Sequence, residues 1–389
     1  MSGMDIEAVR RSFPALQQGL ARFDGPGGSL VPTPVIEAVA GALAAGMCQR
    51  GAVTAPDRVT EETTTLARAD VARLLGADPD GVVFGRSMTA LTFDLARTLS
   101  AAWGPGDEVV VTRLDHDADI RPWVTAAERV GATVRWLGFD PATAELDDVG
   151  PLLTDRTRLV ALTAASNLFG TRPDVPAVVR SAHDAGALVF VDAVHLVPHA
   201  PVDLAALGAD FLACSPYKFF GPHLGVLAAA PGLLETLHPD KLLPSSDAVP
   251  ERFELGTLPY ELLAGVSAAV GFIESLPGAM AEVEEHEDRL VRRLLDGLDT
   301  LPGITVHGRP ARRTPTVLLT VDGVEPAEAS RRLAADGVVA PAGSFYAVEA
   351  CRHAGLGDAG GVRVGLSAYT DDADVDRLLA ALASVTLVA

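Results

Sequence analysis

The chain has 389 residues, 48% of them hydrophobic, enough for a large buried core and against a disordered chain. Acidic residues outnumber basic ones by 51 to 31, and the resulting formal charge of −20 disfavours nucleic-acid binding. No apolar run reaches the roughly 18 residues of a membrane helix, and three scattered cysteines, Cys48, Cys214 and Cys351, argue against a disulfide scaffold or a zinc site.

In chain order, the start "MSGMDIEAVRRSF" lacks the basic-then-apolar order of a secretory signal, so a soluble cytoplasmic protein is expected. "TPVIEAVAGALAAG" reads as a helix with Thr33 at the N-cap, Pro34 in the first turn and Gly46 past the end. From about residue 80 to 230, apolar β-rich runs alternate with helical patterns. The runs are "GVVF", "DEVVVT", "ATVRWLGF", "RLVALTA", "ALVFVDAV", "DFLACS" and "LGVLAAA". Between them "TALTFDLARTLSAAW", "PWVTAAERVG" and "DVPAVVRSAHDAG" place apolar residues three or four apart. Strands that are apolar throughout and separated by helices predict a mainly parallel sheet covered on both faces. After residue 260, "YELLAGVSAAVGFIESL" and "AMAEVEEHEDRLVRRLLDGLDTL" read as a long helical bridge. It leads to a block of short strands and two helices, ending in "GVRVGLSAY" and "DADVDRLLAALASV". The expected organisation is a large α/β domain over 26–275 and a smaller α+β domain over 276–389. An N-terminal segment, 1–25, is expected to pack with the smaller one.

The stretch "CSPYKFFGPHLG" holds Lys218 among aromatic rings with no other charge. Burial of an ammonium lowers its pKa, so the amine is either incidental on a surface loop or wanted uncharged and reactive. Asp192 closes the run "ALVFVD", and Lys218 follows the next run 26 residues later. That gap suits a strand end, a short helix and another strand, which would bring both to the crevice beyond the carboxyl ends of an open sheet. A lysine and a carboxylate there suit pyridoxal phosphate: the amine forms a Schiff base, and the carboxylate keeps the ring nitrogen protonated. A salt bridge, or two unrelated surface charges, reads equally from the spacing. "GRSMTA" follows a strand and opens a helix, so the amides of Met88 and Thr89 could grip an anion, or Ser87 could merely cap the helix. Ser215 and Tyr217, beside the lysine, could add hydroxyl donors.

The stretch "VDAVHLVPHAPVDLAALGADFLACSPYKFFGPHLG" resembles the cofactor-lysine region of the class V aminotransferase superfamily. These are fold-type-I pyridoxal-phosphate enzymes such as cysteine desulfurases, kynureninases and isopenicillin-N epimerases. The nearest pattern is that of the cysteine desulfurase-like proteins, from "FDGPGGSLVP" to "GVRVGLSAYTDDADVDRLL". The resemblance implies Lys218 as the Schiff-base lysine, Asp192 as partner of the ring nitrogen and His116 stacked on the ring. Asn167 and His195 would approach the ring hydroxyl, while Met88, Thr89, Ser215 and Tyr217 would hold the phosphate. Gly256 and Thr257 of "FELGTLPY" would reach the phosphate of a neighbouring subunit, implying a homodimer. Arg363 would clamp the substrate carboxylate, a task that suits its planar fork.

The sequence departs from relatives of that group at Ser87 and Asp119, where they carry Asn, and at Ser344, where they carry His. The segment "PAGSFYAVEAC" resembles the loop that holds the sulfur-accepting cysteine of desulfurases, yet offers none at the customary place. Cys351 lies eight residues after Gly343 and reads as a packing residue. His195 and His199 are four apart, but Pro198 breaks the helical face a metal pair would need. "DHD" at 115–117 could be a solvated turn. The expected function is a pyridoxal-phosphate enzyme acting on a small amino acid, with elimination first and transamination or epimerisation as alternatives. A non-catalytic dimeric binding protein and a metal hydrolase using His116, His195 and His199 are the readings from other classes.

Overall fold

The computed structural model describes residues 4–387; the first three residues and the last two, at the ends of the expected segments, lie outside it. All seven apolar runs form one seven-stranded sheet. Across it lie Val82–Gly85, Gly225–Ala229, Phe211–Cys214, Leu188–Asp192, Thr157–Thr163, Glu108–Thr112 and Thr133–Leu137. Only Gly225–Ala229 runs antiparallel to its neighbours. Alternation sorts the side chains into two cores. Val189, Val191, Leu212 and Val226 face the helices Ala55–Leu75, Val175–Asp184 and Tyr260–Ser275. Phe190, Phe211, Ala213 and Leu227 face Met88–Ser100 and Arg121–Val130.

Two local expectations change. Helix Thr33–Ala45 starts at Thr33 rather than after it, with Pro32 at the cap, and the Thr33 hydroxyl donates to Ser12 O at 3.3 Å. The periodicity also does not mark the 21-residue helix Ala55–Leu75. Its buried face mixes Thr60, Thr64, Arg68 and Asp70 with Ala67, Val71, Ala72 and Leu75, so the apolar stripe is short and interrupted by polar side chains. Its start is nonetheless written in the sequence, since Thr54 and Asp57 form a capping box.

A second sheet of four antiparallel strands runs Ala342–Gly343, Gly361–Gly365, Thr316–Val321, Ile304–His307. One of its faces packs on the helices Ala279–Leu298, Pro326–Ala335 and Asp372–Leu387 through Val317, Leu319, Val362 and Val364. Strand alternation therefore turns Arg363 to the opposite face, alongside Leu318. Near the N-terminus, Ala21–Arg22 pairs in parallel with Val338–Val339. The helical bridge is two helices, Tyr260–Ser275 and Ala279–Leu298, bent by 69° at the break between them.

Candidate active site

Asp192 ends its strand directly beside Ala213 of the next one, and the short turn Pro216–Lys218 follows that second strand. Both side chains line a cavity of about 700 Å³ together with Met88, Thr89, His116, Asn167, His195, Ser215, Tyr217 and Arg363. Gly256 and Thr257 do not line it; both are exposed. Of the three departures from related sequences, only Ser87 borders the cavity.

Lys218 Nζ donates to Pro26 O at 2.6 Å. Burial and the nearby Arg363 push its pKa down to about 7, partly offset by Asp192. The chain's other lysine, Lys241, donates to Ser245 O and pairs with Asp247 outside the cavity. Asp192 Oδ1 accepts from the Val194 amide at 2.8 Å. Burial raises this carboxyl to about 6, against the opposing pull of that amide and of Lys218. A buried carboxylate so placed gains most from a protonated nitrogen at its open side.

At the start of helix Met88–Ser100, Ser87 Oγ takes the Ala90 amide and Ser87 O takes that of Leu91. The first amides, those of Met88 and Thr89, remain for an anion. Strand Gly225–Ala229 passes so close to this turn that a Cβ on Gly225 would overlap the Ser87 backbone. His116 Nδ1 accepts from Ala118 at 3.0 Å, and burial lowers the imidazole to about 4, leaving it neutral. His195 Nε2 meets Thr316 Oγ1 at 2.9 Å, and burial also holds it neutral. His199 bonds Glu287 at 2.8 Å instead of facing a shared centre with His195. Among the described residues no three such groups converge as metal ligands.

Arg363 Nη1 donates to Asn167 O at 3.0 Å. Arg363 Nε and Asn167 Oδ1 are both buried without a hydrogen-bond partner, as polar atoms kept for a ligand would be. This donor set fits pyridoxal phosphate: one amine for an aldehyde, one carboxylate for a ring nitrogen, and free amides for a phosphate.

Some lining residues are not singled out by the sequence reading: Phe93, Arg121, Phe345 and Tyr346. Phe93 stands four residues after Thr89 on one helical face, a spacing that could have marked it. Asp115, read as part of a possible solvated turn, is fully buried and accepts from the Thr163 amide at 2.7 Å. Asp119 is equally buried and takes the indole N–H of Trp123 at 3.0 Å. Burial and the nearby Asp192 raise both carboxyls well above their usual range, and Asp115 adds to the rise at Asp119.

The class V aminotransferase family profile matches residues 22–378. A probable cysteine desulfurase of Mycobacterium leprae is 32% identical, covering 98% of this chain and 96% of that protein. Among solved structures, the apo cysteine desulfurase of Thermococcus onnurineus superposes with a TM-score of 0.93 at 26% identity, each chain fully covered. The cysteine desulfurase CsdA of Escherichia coli gives a TM-score of 0.89 at 28% identity, with 99% of each chain covered. The chain thus belongs to the class V aminotransferase family and is a pyridoxal-phosphate-dependent enzyme of fold type I.

Proposed function

We propose that this enzyme eliminates a β-substituent from a small amino acid and hands no sulfur to a cysteine of its own. The observation that carries the reading is a cavity that gathers Lys218, Asp192 and Arg363 while no thiol lines it. Cys48 is exposed elsewhere, and Cys214 and Cys351 are buried. Burial, with Asp358, raises Cys351 to about 11, which is the reverse of what a reactive thiolate needs.

When bound, pyridoxal phosphate supplies an electron sink for the bonds at the substrate's α-carbon. Lys218 Nζ would hold it covalently, Asp192 its ring nitrogen, and His116 one face of the ring. Asn167 and His195 would serve its hydroxyl, and Met88, Thr89, Ser215 and Tyr217 its phosphate. Arg363 receives the substrate carboxylate on the edge that lacks a protein partner. With the cofactor in place, Lys218 Nζ would take the proton from the substrate's α-carbon; a pKa near 7 leaves much of the amine neutral at neutral pH.

The test is a panel of L-cysteine, β-chloro-L-alanine and other β-substituted amino acids, with products identified. Pyruvate and ammonia, without alanine, are expected. Alanine formed with a protein persulfide would replace elimination by desulfuration, and accumulation of the cofactor's amine form would replace it by transamination.

The position of Gly256 and Thr257 favours a homodimer. Both are exposed outside their own cavity, and exposed Leu242, Leu243 and Leu255 precede them nearby in the chain. In the assembly this segment would cover the partner's site. Sedimentation showing an active monomer would overturn it.

A further inference from the structure

Strand Ala342–Gly343 pairs with the start of Gly361–Gly365 and then turns back over the cavity through Phe345 and Tyr346. These two consecutive residues have φ of 53° and 58°, the left-handed region that bulky side chains avoid. Three contacts hold that backbone. Asn167 Nδ2 donates to Phe345 O at 3.0 Å, the Asp117 amide donates to Tyr346 O at 2.7 Å, and the Phe345 ring lies 3.8 Å from the Arg363 guanidinium carbon. The outcome is different for the two aromatic residues. Phe345 is packed on Arg363, whereas Tyr346 is 74% exposed, lines the cavity and holds its ring 5.4 Å from that of His116.

An exposed ring on a strained backbone contributes little to folding, so burial does not explain why the chain accepts this conformation. What it does accomplish is to keep a largely exposed phenol in the lining of the cavity that also holds Asp192 and Lys218. A phenolic O–H is a proton donor. We propose that Tyr346 is the proton donor to the departing group, an inference that rests on the elimination reading above.

The proton and electron movements balance without another reactant. Lys218 Nζ takes the α-proton, and the electron pair of that C–H bond becomes the second bond between Cα and Cβ. The bond from Cβ to the leaving atom breaks, and its electron pair leaves with that atom. Tyr346 Oη gives its proton to the leaving atom, and the proton taken up by Lys218 returns to the phenolate through water, so both groups end as they began. A departing hydroxide or alkoxide, far more basic than a phenolate, needs that proton; a chloride ion does not.

The experiment compares Tyr346→Phe with the natural holoenzyme on L-serine and β-chloro-L-alanine, which differ only in the leaving group. The variant should lose about 100-fold in turnover of L-serine, the scale of one general acid, and little on β-chloro-L-alanine. Its melting temperature, cofactor affinity and spectral response to glycine, which has no leaving group, should match those of the natural protein. Equal losses on both substrates, or none on either, would overturn the role of Tyr346 while leaving elimination intact. A natural enzyme that releases pyruvate from neither substrate, or from β-chloro-L-alanine alone, would overturn the proposal, and the first of these results would remove elimination with it.

Discussion

Asp192 and Lys218 stand at the ends of adjacent parallel strands whose interior residues are fully buried. Phe345 and Tyr346 follow a two-residue strand at the edge of the other sheet and are held by two hydrogen bonds and one ring-cation contact. In the first region the sheet ladder sets the geometry, so the groups cannot shift against one another without breaking the core. In the second, a few contacts worth about 1 kcal/mol each hold a strained turn. The floor therefore carries what every amino-acid substrate shares, an amine and an α-proton. The strap meets the β-substituent, which distinguishes substrates, and backs the arginine that holds the carboxylate they share. Changes to the floor should damage all substrates alike, and within the strap a change at Phe345 should weaken binding generally while a change at Tyr346 should sort substrates.

The largest effect belongs to Lys218→Ala. It should lose covalent cofactor binding and at least about a thousandfold in turnover, as expected when the covalent group of a concerted site is removed. Borohydride reduction and peptide mapping check this; an adduct on Lys241 would contradict the assignment. The same amine sets a pH dependence. Only neutral Nζ can attack an aldehyde, and its pKa is held down to about 7. Cofactor uptake by the cofactor-free protein should accelerate as pH rises through about 7 and level off above it, measured by the growth of the yellow absorbance.

Asp192→Asn comes next. An amide cannot balance a ring-nitrogen charge, so turnover should fall about 100-fold or more on every substrate while the cofactor stays bound. Full occupancy with near-normal turnover would refute the role. Side-chain volume is nearly unchanged, so a folding defect is not expected to obscure the result.

The floor was legible in the sequence because its signals are local and redundant. Seven apolar runs each became a strand, and the spacing of Asp192 and Lys218 follows from one strand–helix–strand unit. The strap was not. "GSFYA" carries no glycine at Phe345 or Tyr346 to mark their positive φ, and its fixing partners, Asn167, Asp117 and Arg363, come from distant parts of the chain. Asp115 escaped for a similar reason: "DHD" looks like a solvated turn until the Thr163 amide and its full burial are seen. Helix Ala55–Leu75 escaped because Arg68 on its buried face is paired with Glu254 instead of being replaced by an apolar residue.

A smaller effect tests the strap directly. Phe345→Ala removes the ring from the Arg363 guanidinium, and the freed fork should bind carboxylates less well. A contact of about 1 kcal/mol corresponds to a rise of roughly fivefold in KM, with kcat within about threefold. Spectral titration with glycine reads the binding part alone. Unchanged affinity would show that Asn167 O by itself orients the arginine.

The smallest effect separates this chain from relatives that carry sulfur on a cysteine. Cys351 sits in helix Val348–His353, just beyond the strap, and is buried there. It belongs to a buried apolar cluster with Leu114, Phe139, Phe169, Ala347 and Ala350. Desolvation raises the thiol to about 11, and Asp358 adds to the effect. The adjacent Arg352 is spent on Asp358, to which it donates at 2.7 Å, so it does not favour a thiolate. To accept sulfur, Cys351 would have to leave this cluster and lose its proton against that shift. Cys351→Ser should therefore keep most of its activity on the true substrate, with only the modest loss of melting temperature that a hydroxyl in an apolar cluster brings. Intact-mass measurement after incubation with L-cysteine should find no added sulfur. A persulfide trapped on Cys351, together with turnover abolished in the serine variant, would mean that the strap and its helix unfold during catalysis. The contrast between fixed floor and substrate-sorting strap would then have to be redrawn around a moving thiol.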